Sequence, residues 1–222
     1  MKFTVPDFAK DAKAAMAQTS DVGEKQVLLK TLMEDTIQSN DKADIMKELD
    51  AAVPPGANLA EMIVFHDDDL TMLWGQIPPR FQSAVHNHTV FANILPLVGG
   101  ERNVLFEEKD GKLEIIRDVT IEPGQVLQLA PDAIHCIENP TDAPARAFHC
   151  YGGDFTKLDE KRDLWTWGDE AKVAFSLPGV VKESIARMAA EENTQGLKAT
   201  ATAIPKVAPL VEKALEGMTA KQ

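Results

Sequence analysis

Cysteine, tyrosine and histidine are all scarce in this chain of 222 residues, which holds two, one and five of them. Two cysteines, Cys136 and Cys150, are too few for the disulfide framework of a secreted domain. They also lack the short spacing of a zinc or redox pair, so free thiols are expected. Positive charge is in deficit: 23 lysines and arginines stand against 35 aspartates and glutamates, a formal net charge of -12. Such a surface repels a phosphate backbone and an anionic bilayer alike, which argues against nucleic acid and membrane as partners. No stretch approaches a membrane span. The opening "MKFTVPDFAKDAKAAMAQ" has Lys10, Asp11 and Lys13 where a secretory signal needs its apolar region, so a cytoplasmic location is expected.

The texture of the chain changes twice. From Asp7 to Ala52 apolar residues recur at helical spacing, with Asn40 as a capping-type residue before "DKADIMKELDAA", and "VPPGAN" then stops the helices. Between about Leu59 and Phe155 come short apolar runs cut by turn residues: "EMIVFH", "LTMLWGQI", "HTVFANILPLV", "RNVLFEE", "LEIIRDVTI", "QVLQLA", "IHCIEN" and "ARAFHCYGG". Eight or so strands at close spacing mean a sandwich or barrel, with hairpin signals at "HDDD", Asp110-Gly111 and Pro123-Gly124. After Asp154 the pattern is helical again, clearest in "GVVKESIARMAAEEN", and an Ala/Thr/Lys-rich tail leads to a last short helix "LVEKALEGM". The expected organisation is an N-terminal helical extension over 1–58, a barrel over 59–155 and a C-terminal helical extension over 156–222. The ends pack on the barrel, since neither is long enough for much core of its own.

"SAVHNHTVFANIL" sets His86 and His88 one residue apart in an apolar run. In an extended strand both rings share one face and can converge on a point, which is how a metal is held. A third histidine, His135, lies in a similar context in "PGQVLQLAPDAIHCIENP", and a sheet that curls on itself can bring it over the first pair. The alternative is that each is an ordinary hydrogen-bonded histidine. His66, in "VFHDDDL", precedes a turn and stays outside the site.

The pattern His86-x-His88-x4-Asn93-x5-Gly99, followed by Gly124-x10-His135-x3-Asn139, resembles the two motifs of the cupin superfamily. The resemblance implies a mainly β fold, a double-stranded β-helix (jelly-roll) barrel with a metal inside, here flanked by N- and C-terminal α-helices. It departs at Asn93, where the usual pattern has a glutamate ligand. A three-histidine set is similar to that of cysteine dioxygenase, its thiol-dioxygenase relatives and the diketone-cleaving dioxygenases, which implies Fe(II) and O2. "IHCIENPTDAPARAFHCYGGDF" resembles the thiol-dioxygenase stretch ending in Ser-x-His-x-Tyr, with Ala147 in place of the serine. By that resemblance His149 and Tyr151 order the site; otherwise Tyr151 is a core aromatic. Asn93 also takes the place of the cysteine that animal cysteine dioxygenases crosslink to tyrosine. The arginine that would bind an amino-acid carboxylate is missing near "EMIVFHDDD". Arg80, and less so Arg102, is the substitute by sequence, unless it is a solvated surface charge. Asn93 is either a neutral donor to the substrate or a strand polar group bonding a nearby backbone.

The expectation is therefore an Fe(II)- and O2-dependent dioxygenase of a small thiol or enolisable carbonyl compound, with metal ligands His86, His88 and His135. Two rivals stand beside it. One is a redox-neutral zinc, manganese or nickel enzyme (hydrolase, isomerase or lyase), against which no Glu or Asp of the motif strands is placed as a general base. The other is a non-catalytic metal or ligand sensor whose flanking helices make a homodimer or partner surface.

Overall fold

The computed structural model describes residues 2–53, 57, 62–158 and 161–220. The "VPPGAN" break and the start of the first expected strand at Glu61 lie largely outside them. Three helices open the chain, α1 Val5–Met16, α2 Val22–Ser39 and α3 Lys42–Ala52. Each begins where a side-chain oxygen accepts an orphan backbone N–H: Thr4 from Asp7, Asp21 from Glu24 and Asp41 from Ala43. The third cap falls one residue beyond the expected Asn40, whose side-chain oxygen instead accepts from the Phe3 amide at 2.9 Å. Phe8, Ala12, Met16, Leu29, Met33, Ile45 and Leu49 form the buried faces and share one core with the sheet residues Met72, Trp74, Leu95 and Phe148.

Eleven strands follow among the described residues: β1 Ile63–His66, β2 Thr71–Ile77, β3 Val85–Asn87, β4 Ala92–Val98, β5 Glu101–Lys109, β6 Lys112–Ile121, β7 Leu127–Leu129, β8 Ile134–Glu138, β9 Ala145–Tyr151, β10 Asp163–Trp165 and β11 Lys172–Ala174. They form two antiparallel sheets, ordered β1-β2-β9-β4-β7 and β11-β10-β3-β8-β5-β6. From β2 to β9 the chain passes back and forth between the sheets, leaving only the β5–β6 hairpin within one. The orders 2-9-4-7 and 3-8-5-6 are those of an eight-stranded jelly roll, the double-stranded β-helix. Asp110 and Gly111, at φ +52° and +75°, make the tight β5–β6 turn. Pro123-Gly124 closes no hairpin; with Gly124 at φ +93° it carries the chain from β6 in one sheet to β7 in the other. At the end of β9, Gly152 must be glycine, because a Cβ there would lie 2.1 Å from the Phe91 ring.

The barrel does not stop at 155. β10 pairs with β3, and β11 with β10, so the second sheet runs on to Ala174. Without them β3, which carries His86, would be an edge strand. The C-terminal helices are α4 Leu177–Ala190, α5 Thr194–Ala203 and α6 Ala208–Thr219, with a 3₁₀ turn at Pro205–Val207. The α5 helix falls in the segment read as a tail; Asn193 caps it by accepting from the Gly196 amide at 2.8 Å. These helices have a small core of their own around Ile185, Met188, Leu197, Val207 and Val211. Buried Arg187 ties α4 to the barrel, pairing with Glu138 and donating to the Ser83 carbonyl at 2.9 Å. Among the described residues no helix is long and apolar enough to cross a membrane.

Gln26 pins the N-terminal helices to the barrel. Its buried amide donates to the Ala92 and Leu129 carbonyls of paired strands, at 3.1 and 2.9 Å. Gln26→Ala strands both acceptors and should cost about 1–3 kcal/mol, read as a lower urea midpoint with an unchanged unfolding slope.

Candidate metal centre

Strand pairing puts the three histidines together. His86 lies directly opposite His135 across the β3–β8 ladder. β3 ends at Asn87, so His88 sits one residue beyond it, on the bend into β4. The next residue, β-branched Thr89, takes φ +60°, a strained conformation for such a residue that turns the chain at the site. The His88 Nε2 atom is 3.1 Å from Nε2 of His86 and 3.2 Å from Nε2 of His135. Among the described residues these three are the one group of three or more His, Cys, Asp or Glu whose ligating atoms lie within 4.8 Å of one another.

The protons on these rings can be assigned from their partners. His86 Nδ1 is 3.1 Å from the Ala84 carbonyl, which only accepts, so Nδ1 carries the hydrogen and Nε2 a lone pair. His135 Nδ1 is 2.9 Å from the Asn103 Oδ1 atom. The Asn103 amide is itself oriented, since its NH2 donates to the Glu101 carboxylate at 2.9 Å. His135 therefore also presents a lone pair at Nε2. His88 Nδ1 is buried with no hydrogen-bond partner, and His88 Nε2 can offer a hydrogen to only one of its two neighbours. At least one pair of lone pairs faces across about 3 Å with nothing between, which a cation relieves. Protonation is opposed by burial: the His86 ring is pushed down to about 4, and His88 and His135 well below 6.5, by desolvation first and then by the adjoining histidines and, for His86 and His88, Arg162. Neutral imidazoles held from behind by carbonyl groups are what a divalent metal requires, so the residues fit such an ion.

Beside the rings runs a second chain of polar groups. His149 and Tyr151 alternate along β9, and His149 Nδ1 lies 3.2 Å from the Tyr151 hydroxyl. The Tyr151 ring is edge-on to His88, with centroids 5.0 Å apart. Its phenol is held well above the usual range by burial and then by Glu101. His149 Nε2 stands 3.4 Å from the Glu101 carboxylate, a wholly buried group on β5. Sequence alone places no Glu or Asp of the motif strands as a general base; in the structure Glu101 stands behind both His149 and, through Asn103, His135. Among the described residues no carboxylate joins the ligand group itself. Arg162, unforeseen from sequence, is buried with its guanidinium between the rings of Phe155 and Phe175, at 3.8 and 3.6 Å. Phe155 in turn stacks on Tyr151 at 4.4 Å, so a layered wall closes one side of the site.

Asn93 and Arg80 are not brought to this centre. Ala92 and Ile94 pair with Tyr151 and His149 and share their face, so Asn93, opposite Cys150, points to the other side. There its amide donates to the Gln26 carbonyl on α2 at 2.9 Å, the backbone-bonding alternative of the two readings. Arg80 is bound to Asp142 at 2.7 Å and to the Pro140 carbonyl, and Arg102 to Asp118 and Glu138. His66 sits on β1 outside the cluster, 3.5 Å from Asp154. Cys136 and Cys150 are buried free thiols, the first raised to about 11 by burial.

No family model and no curated protein matches the chain. Among solved structures it is similar to an uncharacterized conserved protein with a double-stranded β-helix domain from Klebsiella pneumoniae, at 13% identity over 58% of this chain and 94% of that one, with a TM-score of 0.37. It is also similar to hydroquinone 1,2-dioxygenase from Sphingomonas sp. TTNP3, solved with 4-hydroxybenzoate bound, at 10% identity over 41% and 64% of the two chains and a TM-score of 0.36. A third is an oxalate oxidase, at 12% identity, 41% and 48% coverage and a TM-score of 0.35. The matched region is thus under two thirds of the dioxygenase and about half of the oxidase. The strand order defines the barrel here as a double-stranded β-helix.

The proton assignment fixes a pH dependence. The three rings are neutral in the fold, whereas in the unfolded chain they take up protons below about 6.5. Without metal, stability should be fully present above that value and fall as pH drops from about 6.5 towards 4. Urea unfolding across this range should show the loss, and His86→Gln should reduce it.

Proposed function

We propose that the protein is an iron(II)- and O2-dependent dioxygenase that takes a small thiol or enolisable carbonyl compound as an anion at the three-histidine centre. The observation behind this reading is the ligand set, three neutral imidazoles with no carboxylate among them. Neutral ligands leave the charge of a divalent ion uncompensated, which favours an anionic sulfur or oxygen atom beside it. Iron(II) held by His86, His88 and His135 would supply open positions for substrate and O2 and the reducing power that starts O2 reduction. For a thiol the net change is RS⁻ + O2 → RSO2⁻: two S–O bonds form, the O–O bond breaks, and sulfur gives up the four electrons that O2 takes. For a carbonyl compound both oxygen atoms likewise end in the products.

The work left to the chain is removing the substrate's proton. Opposite the Glu101 carboxylate, His149 keeps its hydrogen on Nε2, so Nδ1 accepts from the Tyr151 hydroxyl. The phenol oxygen then has lone pairs for the cavity. It takes the substrate proton as its own passes to His149, and Glu101 balances the imidazolium that results. In this reading Glu101 stands in for the serine absent at Ala147.

The same relay favours a second reading. With zinc, manganese or nickel in the same ligands, Tyr151, His149 and Glu101 would serve as the base of a redox-neutral isomerase, lyase or hydrolase. Metal content separates the two. Protein purified without added metal should hold about one iron per chain and consume O2 when a thiol is added anaerobically and air is then admitted. His86→Ala should lose both properties. Zinc with no O2 uptake, or a His86→Ala protein that still consumes O2, would contradict the dioxygenase.

Glu101→Gln keeps the shape but removes the charge that balances His149. Metal content should hold while kcat/KM for a thiol falls about 100-fold, with its pH profile moved to higher pH, where the substrate arrives already deprotonated. A purely structural role would lower the melting temperature and leave the profile in place.

A further inference from the structure

The centre opens into one chamber of about 220 Å³, and its walls say what kind of molecule fits. The barrel supplies Leu73, Ile77 and Ile137; the C-terminal helices supply Val180, Ile185 and Val207 across from them. Beyond the histidines, Lys206 is the one charged side chain in this lining among the described residues, and it is exposed to solvent.

The hydroxyls in the wall are mostly spoken for. Ser83 accepts from the Ile137 amide and donates to the Ala84 carbonyl. Ser184 accepts from the Ala84 amide and donates to the Val180 carbonyl. Thr200, 3% exposed, has a hydroxyl without a partner. A substrate carboxylate would find no arginine in the wall. Arg80, Arg102, Arg146 and Arg187 are each paired with carboxylates elsewhere, and Arg162, held between the rings of Phe155 and Phe175, is not part of the lining.

We infer that the substrate has an apolar, uncharged body, with its one anionic atom at the three-histidine end and at most a neutral hydrogen-bonding group to meet Thr200. This rests on the dioxygenase reading for the anionic atom alone; the selection against charge belongs to the chamber. It gives the C-terminal helices a task, since about a third of the chamber wall comes from their segment, Val180 to Val207. An amino-acid thiol or thiol-acid would bring a carboxylate into a mainly aliphatic wall whose one cation beyond the histidines, Lys206, lies in solvent, which disfavours it.

Two thiols of nearly equal shape test this: 3-methylbutane-1-thiol, ending in an isopropyl group, and 3-mercaptopropanoate, ending in a carboxylate. Calorimetry with the metal-free wild-type protein should show the apolar thiol binding at least about 100-fold more tightly. The ferrous protein should show the same order in kcat/KM for O2 uptake, with L-cysteine as poor as the thiol-acid. Equal or reversed preference in the metal-free protein, or no binding of the apolar thiol, overturns the inference. If the preference holds but no thiol drives O2 uptake, the inference stands and the dioxygenase reading fails. Uptake with cysteine or the thiol-acid preferred leaves the dioxygenase standing and removes the apolar substrate.

Discussion

Imidazole nitrogens whose hydrogens are already committed behind them present bare lone pairs, and the centre of this barrel sets Nε2 of His88 about 3 Å from two such nitrogens, on His86 and His135. The Ala84 carbonyl sets His86, and Asn103 sets His135. Asn103 is set by Glu101, which is set by its burial between β5 and the histidine of β9. The Ala84 carbonyl and the Glu101 carboxylate can only accept, so the hydrogens of His86 and His135 are fixed from behind. The result is a cluster complete in ligands and incomplete in charge.

The rest of the fold can be understood as what holds that cluster in place. The jelly-roll alternation brings β3 and β8 side by side although nearly fifty residues separate them, and β10 covers the edge that β3 would otherwise expose. On the far face of the first sheet, the N-terminal helices bury Asn93 and Cys150 and anchor β4 and β7 through Gln26. The C-terminal helices, held by Arg187 on Glu138, add Val180, Ile185 and neighbouring aliphatic side chains to the chamber wall. The two helical ends thus act on opposite sides of the barrel problem, one stiffening its back and one shaping its mouth.

How much of this was legible in the sequence depended on whether a residue's meaning was local. Strand runs, helix caps and the His-x-His pair are local patterns, and β2 and the strands from β4 to β9 lie where alternation and turn residues put them, whereas the stretch read as one strand through His86, His88 and on to Val98 is broken into β3 and β4 in different sheets. His135 was legible through its spacing from a Pro-Gly turn and Asn139. Asn93 fills the motif position on the other face of its strand, because its neighbours Ala92 and Ile94 are the residues that pair with Tyr151 and His149, a register that only the folded sheet sets. Arg80 misled because nearness in sequence says nothing about a partner such as Asp142, sixty residues on. Glu101 and Arg162 gave no signal at all. A glutamate after Gly99-Gly100 looks like a solvated strand end, and only closure of the barrel buries it. The short strands β10 and β11 were hidden because each has three residues and β10, which carries β11 at the sheet edge, pairs with β3 far upstream.

The central claim is that His86, His88 and His135 meet a single ion through Nε2, each keeping its hydrogen on Nδ1. Proton NMR of the cobalt(II)-substituted protein reads this directly, since imidazole N–H groups on a ligating ring give strongly shifted, solvent-exchangeable signals. Three such signals, with one lost on substituting each histidine in turn, are predicted. Fewer than three, or signals that survive these substitutions, would contradict the account.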